Sequence, residues 1–266
     1  MKNCLTIAGS DCSGGAGIQA DLKTFSANGV YGMSVITSVV AENTSRVIKV
    51  ENLSTDIIAN QIDAVFEDIE VDGVKIGMIK SSEIMSCVSE KLIQYKPKVV
   101  VVDPVTSAKD NHCLMDSNAL HTLKERIFPL TTMLTPNIPE AEVITSRKIR
   151  NTKDVILSAK DIHSMGVKYV LIKGGHSNGE PSDILYDGEK LYKFTSARIN
   201  TKNTHGTGCT LSSAITAFLA RGYSAEQAVY NAKKYIFNTI KHSLNIGKGN
   251  GPLHHFYDYY NMKGFE

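Results

Sequence analysis

Apolar positions along the chain fall into two alternating rhythms. Short β-branched runs alternate with longer segments in which apolar residues recur every three or four positions. Cys4–Ala8 reads as a strand, followed by a glycine-rich loop and a helix over Ile18–Asn28. Met33–Val40 reads as a strand and Asp56–Phe66 as a helix. Val74–Gly77 is a short strand and Ser82–Gln94 a helix, and Lys98–Val102 is a continuous apolar run of the kind covered on both faces. Ser117–Ile127 reads as helical, Met133–Thr135 as a strand end, Pro139–Thr145 and Thr152–Met165 as helices, and Tyr169–Lys173 as another buried strand. Asp183–Tyr186 and Leu191–Phe194 flank an Asp187–Gly188 turn and predict a hairpin. A long helix opens near Gly208 and another covers Ala225–Lys241. This alternation predicts an α/β fold, a three-layer αβα sandwich around a mostly parallel sheet. No repeat or linker interrupts it, so residues 1–266 read as one domain.

Composition narrows the classes of function. Net charge is +2 over 266 residues, which gives no reason to expect a nucleic-acid or membrane-surface partner. The five cysteines, Cys4, Cys12, Cys87, Cys113 and Cys209, form no CxxC pair, which argues against a zinc site and for a reducing compartment. No stretch approaches the ~20 apolar residues that cross a bilayer. A soluble, cytoplasmic protein is expected.

Candidate chemistry collects at predicted strand ends, where open α/β sheets bind ligands. The run Ala8-Gly9-Ser10-Asp11-Cys12-Ser13-Gly14-Gly15-Ala16-Gly17 follows the first strand, and its glycines allow close backbone approach to a ligand. It lacks the Lys-Ser/Thr ending of a Walker A loop. Asp21, on the following helix, is either solvated or a partner for a substrate hydroxyl. Asn203-Thr204-His205-Gly206-Thr207-Gly208-Cys209-Thr210 opens a long helix. Its glycines free successive N–H groups for an anion, and the helix dipole adds positive potential there. A cysteine in that place is expected to have a lowered pKa and to accept a proton from an alcohol. Asn137 and Glu140, in Thr135-Pro136-Asn137-Ile138-Pro139-Glu140, fit either a helix cap or the ordering of Mg²⁺ through water. Asp103, before Pro104, ends a buried strand, and Lys173 precedes Gly174-Gly175-His176 at another, where a lysine can meet phosphates. None of the eight histidines shows metal-ligand spacing.

Together these segments resemble one family. TIAGSDCSGGAGIQADLKTFSANGVYGMSVIT, VKIGMI, TPNIPEAEV, LIKGGH, NTKNTHGTGCTLSSAI and GKGNGPLHH, with Asp103-Pro104-Val105 and Ala108-Lys109 between them, run in the order of the bacterial hydroxymethylpyrimidine/phosphomethylpyrimidine kinases. The resemblance implies a ribokinase-like fold, ATP and Mg²⁺, a small pyrimidine substrate, a homodimer, and two successive phosphorylations. It implies an anion hole of Gly206, Thr207 and Gly208 with Cys209 as the catalytic residue. Asn137 and Glu140 then organise magnesium and phosphate, with Glu140 acting on the metal through water. Asp103, Lys173 and Lys233 fall on the nucleotide side, and Ala16, Asp21, Val40 and Met78 in the pyrimidine pocket.

Two places depart from that pattern. The family reads Ala-Gln-Asn-Thr where this chain has Ala41-Glu42-Asn43-Thr44. A glutamine donates and accepts, whereas an ionised glutamate only accepts. Glu42 therefore either meets a protonated aminopyrimidine or holds its own proton. The segment after Val105 differs too, with Asp110-Asn111 near the place of the family's glycine and Cys113 beyond it. Two other readings stay open: a pyridoxal kinase of the same family, and a ligand sensor that has lost catalysis.

Overall fold

The computed structural model describes residues 1–105, 117–175 and 181–265. Its centre is an eight-stranded sheet in the order β10-β9-β8-β7-β6-β5-β1-β2. The strands are β1 (Lys2–Ala8), β2 (Val30–Ile36), β5 (Gly73–Ile76), β6 (Val100–Val102), β7 (Met133–Leu134), β8 (Tyr169–Ile172), β9 (Ser182–Tyr186) and β10 (Leu191–Thr195). Pairing is parallel from β2 to β8 and antiparallel where β9 and β10 complete the edge. A separate antiparallel hairpin, β3 (Ser38–Glu42) and β4 (Val47–Asn52), rises from the end of β2.

Side chains alternate between two cores, as strand geometry requires. Leu5, Ile7, Val74, Ile76, Val100, Val102, Leu134, Val170 and Ile172 face one side. They pack against α2 (Thr55–Phe66), α3 (Ser82–Tyr95), α5 (Ile138–Thr145) and α6 (Thr152–Ser164). Val101, Met133, Leu171 and Leu185 face the other side, under α7 (Thr207–Ala220) and α8 (Ala225–Lys241). Cys4 and Val30 continue that layer beneath α7 and Phe25 of α1 (Gly17–Ala27). The three-layer αβα arrangement read from the sequence is therefore present.

One local expectation is corrected, one strand was missed, and one expected helix is present with irregular turns. Met33–Val40 is not one strand: β2 ends at Ile36, and the Thr37 N–H caps β1 at the Ala8 carbonyl before the chain turns into the hairpin. β4 escapes sequence reading because it is almost wholly exposed and so carries no buried face to pattern. The helix over Ser117–Ile127 is α4 (Ser117–Thr122), widening into a π turn at Leu123–Ile127 and tightening into a 3₁₀ turn at Phe128–Leu130, where Pro129 can donate no hydrogen bond. A last helix, α9 (Tyr257–Lys263), follows.

The order of strands reverses between β1 and β5: β2 lies on one side of β1, and the chain then crosses to β5 on the other. Such a switch point opens a crevice at the carboxyl ends of the strands. Ala8, Ile36, Ile76, Val102, Leu134 and Ile172 mark that edge.

Ile7 is fully buried and Ile93 is 56 % exposed. Ile7→Ala is expected to lower unfolding stability by about 2–5 kcal/mol in urea titrations. Ile93→Ala should stay within about 0.5 kcal/mol of the parent.

Candidate active site

Helix starts separate structure from chemistry. Among the described helices of eight or more residues, α2, α3, α5, α6 and α8 begin with a side chain accepting from the first-turn amides. Only α1 and α7 begin without one, and both begin at the crevice. The N-cap of α7 is Gly206, whose φ of 84° lies in the left-handed region that glycine adopts without strain. Among the described residues, the Gly208 and Cys209 amides have no protein partner. Uncapped amides at a helix N-terminus hold anions.

The two glycine-rich loops meet back to back. Asp11, 1 % exposed, accepts from the Ser13 amide and hydroxyl on one oxygen. Its other oxygen accepts from the Gly15 and Ala16 amides. His205 Nε2 lies 2.8 Å from that same oxygen. Burial would raise the Asp11 pKa, but the bonds from His205, Ser13 and Ala16 outweigh it and hold the carboxyl well below the usual range. Any Cβ at Gly15 would run into the His205 ring, and one at Gly206 into the Gly15 carbonyl. The C-terminal segment completes the clasp. The His205 amide donates to the Gly251 carbonyl, the Gly249 amide to Thr44 Oγ1, and the Asn250 amide to the Thr44 carbonyl. The tip of the β3–β4 hairpin is thereby held over the crevice.

On the hairpin side lie Ala16, Val40, Glu42 and Met78. Val40 is buried and its amide donates to Ser10 Oγ. Glu42 is half-buried beside a bulge in β3, and its carbonyl accepts from the Cys12 thiol. Ligand atoms of Asp11, Glu42 and His205 all lie within 4.8 Å of one another. Spacing rules cannot find such a group, because its members are scattered through the sequence.

On the opposite side, Lys173 Nζ donates to Asp103 Oδ1 at 2.7 Å and stands 4.0 Å from Glu140. Thr135 Oγ1 shares that Asp103 oxygen. Burial opposes the charge on Lys173, but Asp103 and Glu140 outweigh it and raise its pKa. The capping alternative for Asn137 and Glu140 is realised, since each side chain accepts from the other's amide. A Cβ at Gly208 would fall 2.9 Å from Asp103 Oδ2 and 3.7 Å from Lys173 Nζ, so glycine there keeps the anion cradle open beside both charges. Lys233 joins through Asp183, which accepts from Lys233 Nζ on one oxygen and the Gly174 amide on the other.

Asp21 departs from its expected place. It does not open onto the crevice: its side chain is 0 % exposed and pairs with Lys75 Nζ at 2.8 Å. Thr6 and Ser213 hydroxyls fill the remaining positions at 2.6 and 2.7 Å. The thiol expectation is also corrected. Burial pushes Cys209 up to about 11, with Asp21 and Asp103 adding to the rise and Lys75 and the Gly17 amide opposing it. The helix terminus alone does not win against desolvation. Asp110, Asn111, Ala108, Cys113 and His176 lie outside the described residues. Asp11, Lys75, Asp183 and His205 went unassigned from sequence. A lysine inside the apolar run Val74–Ile76 was the available signal for Lys75.

His255 backs the site, with Nε2 3.0 Å from Thr210 Oγ1, and burial pushes its pKa down to about 4, helped by Lys23 and His254. A histidine kept neutral in the fold binds its proton more weakly than in the unfolded chain. Stability should therefore fall as pH drops from about 6.5 towards 4, by roughly 3 kcal/mol for this group. Urea midpoints of wild type and His255→Gln across that window check it, and the variant should show the flatter profile.

Comparison with known proteins agrees with this geometry. A family described as "Phosphomethylpyrimidine kinase" matches residues 11–254. The hydroxymethylpyrimidine/phosphomethylpyrimidine kinase of Rhizobium meliloti is 46 % identical, over 95 % of this chain and 96 % of that protein. The thiamine biosynthesis bifunctional protein ThiED of Geobacter sulfurreducens is 47 % identical over 94 % of this chain, which spans 51 % of that longer protein. Among solved structures, phosphomethylpyrimidine kinase of Clostridium difficile 630 is 49 % identical with a TM-score of 0.82, covering 91 % of this chain and 100 % of that one. An ADP complex of Bacillus subtilis pyridoxal kinase is 39 % identical with a TM-score of 0.90, covering 96 % and 98 %. With a match of this extent and a glycine-framed, uncapped helix end at the switch point, the chain belongs to the phosphomethylpyrimidine kinase family, within the ribokinase-like superfamily.

Proposed function

We propose that this protein transfers the terminal phosphoryl group of ATP to 4-amino-5-hydroxymethyl-2-methylpyrimidine and then to the resulting monophosphate, for thiamine synthesis. The observation that carries the reading is the pair of unpartnered amides at Gly208 and Cys209, set beside Asp103 and Lys173. In that reading residues 1–266 form one kinase domain, cytoplasmic and homodimeric. No helix among the described residues is long and apolar enough to cross a membrane.

Each residue then has a task. The Thr207 amide is taken by the Thr204 carbonyl, so the amides of Gly208 and Cys209, with the dipole of α7, hold the phosphoryl oxygens. Lys173 and Lys233 meet the phosphates as point charges. The buried carboxylates of Asp103 and Glu140 flank Lys173, an oxygen donor set of the type Mg²⁺ accepts, with Glu140 reaching it through water. When bound, that ion neutralises phosphate charge. Ala16, Val40, Glu42 and Met78 border the pyrimidine, while Asp21 acts from beneath the floor.

In the first step the hydroxyl oxygen forms a bond to the terminal phosphorus, and the bond from that phosphorus to the bridging oxygen breaks. ADP leaves, and the hydroxyl proton passes to Cys209; because burial holds that thiol up at about 11, only its minor thiolate form accepts the proton. In the second step the acceptor is a phosphate monoester. Its second pKa near about 6 leaves it ionised at neutral pH, so no base is needed.

Cys209→Ala is expected to slow the first phosphorylation by about 10²–10⁴-fold, the usual worth of a positioned base, and the second step much less. Product masses from Mg-ATP with the alcohol or with its monophosphate measure both. Equal losses would remove Cys209 as the base. Product from pyridoxal alone would change the substrate assignment, and no product from any alcohol would leave a ligand sensor.

Glu42 generates a separate prediction. An ionised Glu42 favours the protonated aminopyrimidine, so pyrimidine affinity should fall as pH rises. Glu42→Gln should flatten that dependence. Calorimetric titrations at several pH values test it, and an unchanged profile would place Glu42 outside the pocket.

A further inference from the structure

Lys75 lies on β5 with its side chain in the layer beneath α1 and α7, wholly shielded from solvent along with its partner Asp21. None of the tasks assigned above uses either charge directly. Stability alone is a weak reason for the pair, because replacing a buried ion pair with well-packed apolar groups is often neutral or stabilising.

Its position supplies a stronger reason. Gly77 follows two residues on, and a Cβ there would fall 2.7 Å from Lys75 Nζ, so the ammonium lies against the backbone at the carboxyl end of β5. On the far side Ser213 donates to Asp21, and Ser213 stands one helical turn after Cys209 on the same face of α7. Gly17, four residues before Asp21, opens α1, and its amide favours charge on the Cys209 sulfur. Ammonium, carboxylate and thiol thus form one stack between the sheet and the uncapped starts of α1 and α7.

We propose that Lys75 is a positioning residue for Cys209: a fixed positive charge under the crevice floor that favours negative charge on the sulfur and on the transferring phosphoryl group, with Asp21 setting how much of it is felt. The phosphoryl part rests on the kinase reading, whereas the thiol part does not. The groups that act on Cys209 include Lys75 from β5, Asp21 and the Gly17 amide from α1, and Asp103 from the end of β6, and Lys173 stands beside the neighbouring Gly208. Lys75 and Gly17 favour the thiolate, and the two carboxylates oppose it. Lys75 is therefore a cation that opposes, without cancelling, the desolvation of the sulfur.

The test is alkylation of Cys209 by iodoacetamide in the ligand-free protein across a pH series, read on the Cys209 peptide by mass spectrometry. Asp21→Asn should raise the rate near neutral pH about tenfold and Lys75→Met should lower it about tenfold, as expected for a neighbouring charge. A purely structural role would move both variants the same way, since both loosen the packing around the sulfur. Rates that shift together, or stay unchanged in variants with native circular dichroism, would overturn the proposal. If Lys75→Met does not fold, the double variant Asp21→Asn/Lys75→Met takes its place. It should lose the acceleration seen in Asp21→Asn alone, and a double variant that remains as fast overturns the proposal. In the same preparations, kcat for the first phosphorylation should fall about tenfold or more in the variant lacking Lys75, with the KM for ATP nearly unchanged. Opposed alkylation shifts without phosphorylation by the wild type would sink the kinase reading and leave the thiol electrostatics standing.

Discussion

The site depends on one expensive interaction, the Lys75–Asp21 pair, in which both side chains are 0 % exposed. Charges removed from water this completely are tolerated only when their geometry and hydrogen bonding are complete. Asp21 meets that condition with Lys75 from β5, Thr6 from β1 and Ser213 from α7. Four elements are tied by one carboxylate. A slip of β1 by one residue would turn Thr6 away and bring an apolar neighbour against the charge. The pair therefore fixes the register of β1 and β5, which frame the crevice, and the depth of α1 and α7, which open onto it.

A second tie acts over a greater span of chain. Asp11 and His205 are 194 residues apart in sequence yet join the two glycine-rich loops. Small residues allow this because the loops pass too close for a Cβ at Gly15 or Gly206. The C-terminal loop adds the hairpin through Thr44. Substrate-facing and phosphate-facing halves are thus one clasp assembled from three distant segments. Such assembly suits a reaction in which orientation does much of the work.

Much of the architecture was legible in the sequence because the parallel strands are hidden on both faces. Runs such as Val100–Val102 and Tyr169–Ile172 carry that signal without help from their neighbours. β4 was illegible for the opposite reason, being exposed on both faces. In the site, the glycine-framed start of α7 was legible because its residues are contiguous. The charge of Cys209 was not. A helix N-terminus lowers a thiol pKa, but burial outweighs it here, and burial depends on what packs above the sulfur. Asp21 shows the same limit: one residue on a helix gives no sign of whether it faces water or a lysine from another strand. Asn137 and Glu140 left capping and metal ordering open, and the reciprocal bonds between them answer the first question without bearing on the second.

The distribution of helix caps reflects the same constraint. Local rules are obeyed away from the open helix ends: Ser54, Ser81, Asn151 and Ser224 each satisfy first-turn amides, and so does Asn137 at the edge of the site. They are broken at α1 and α7, where a capping side chain would stabilise the helix by about 1 kcal/mol. Sequences depart from local consistency chiefly at functional sites and recover the loss elsewhere. Here the recovery is identifiable. Asp11 takes over the amides ahead of α1, and the buried Lys75–Asp21 node anchors the second turns of both helices from below. The amides of α7 can then stay open to an anion without the helix start losing its place.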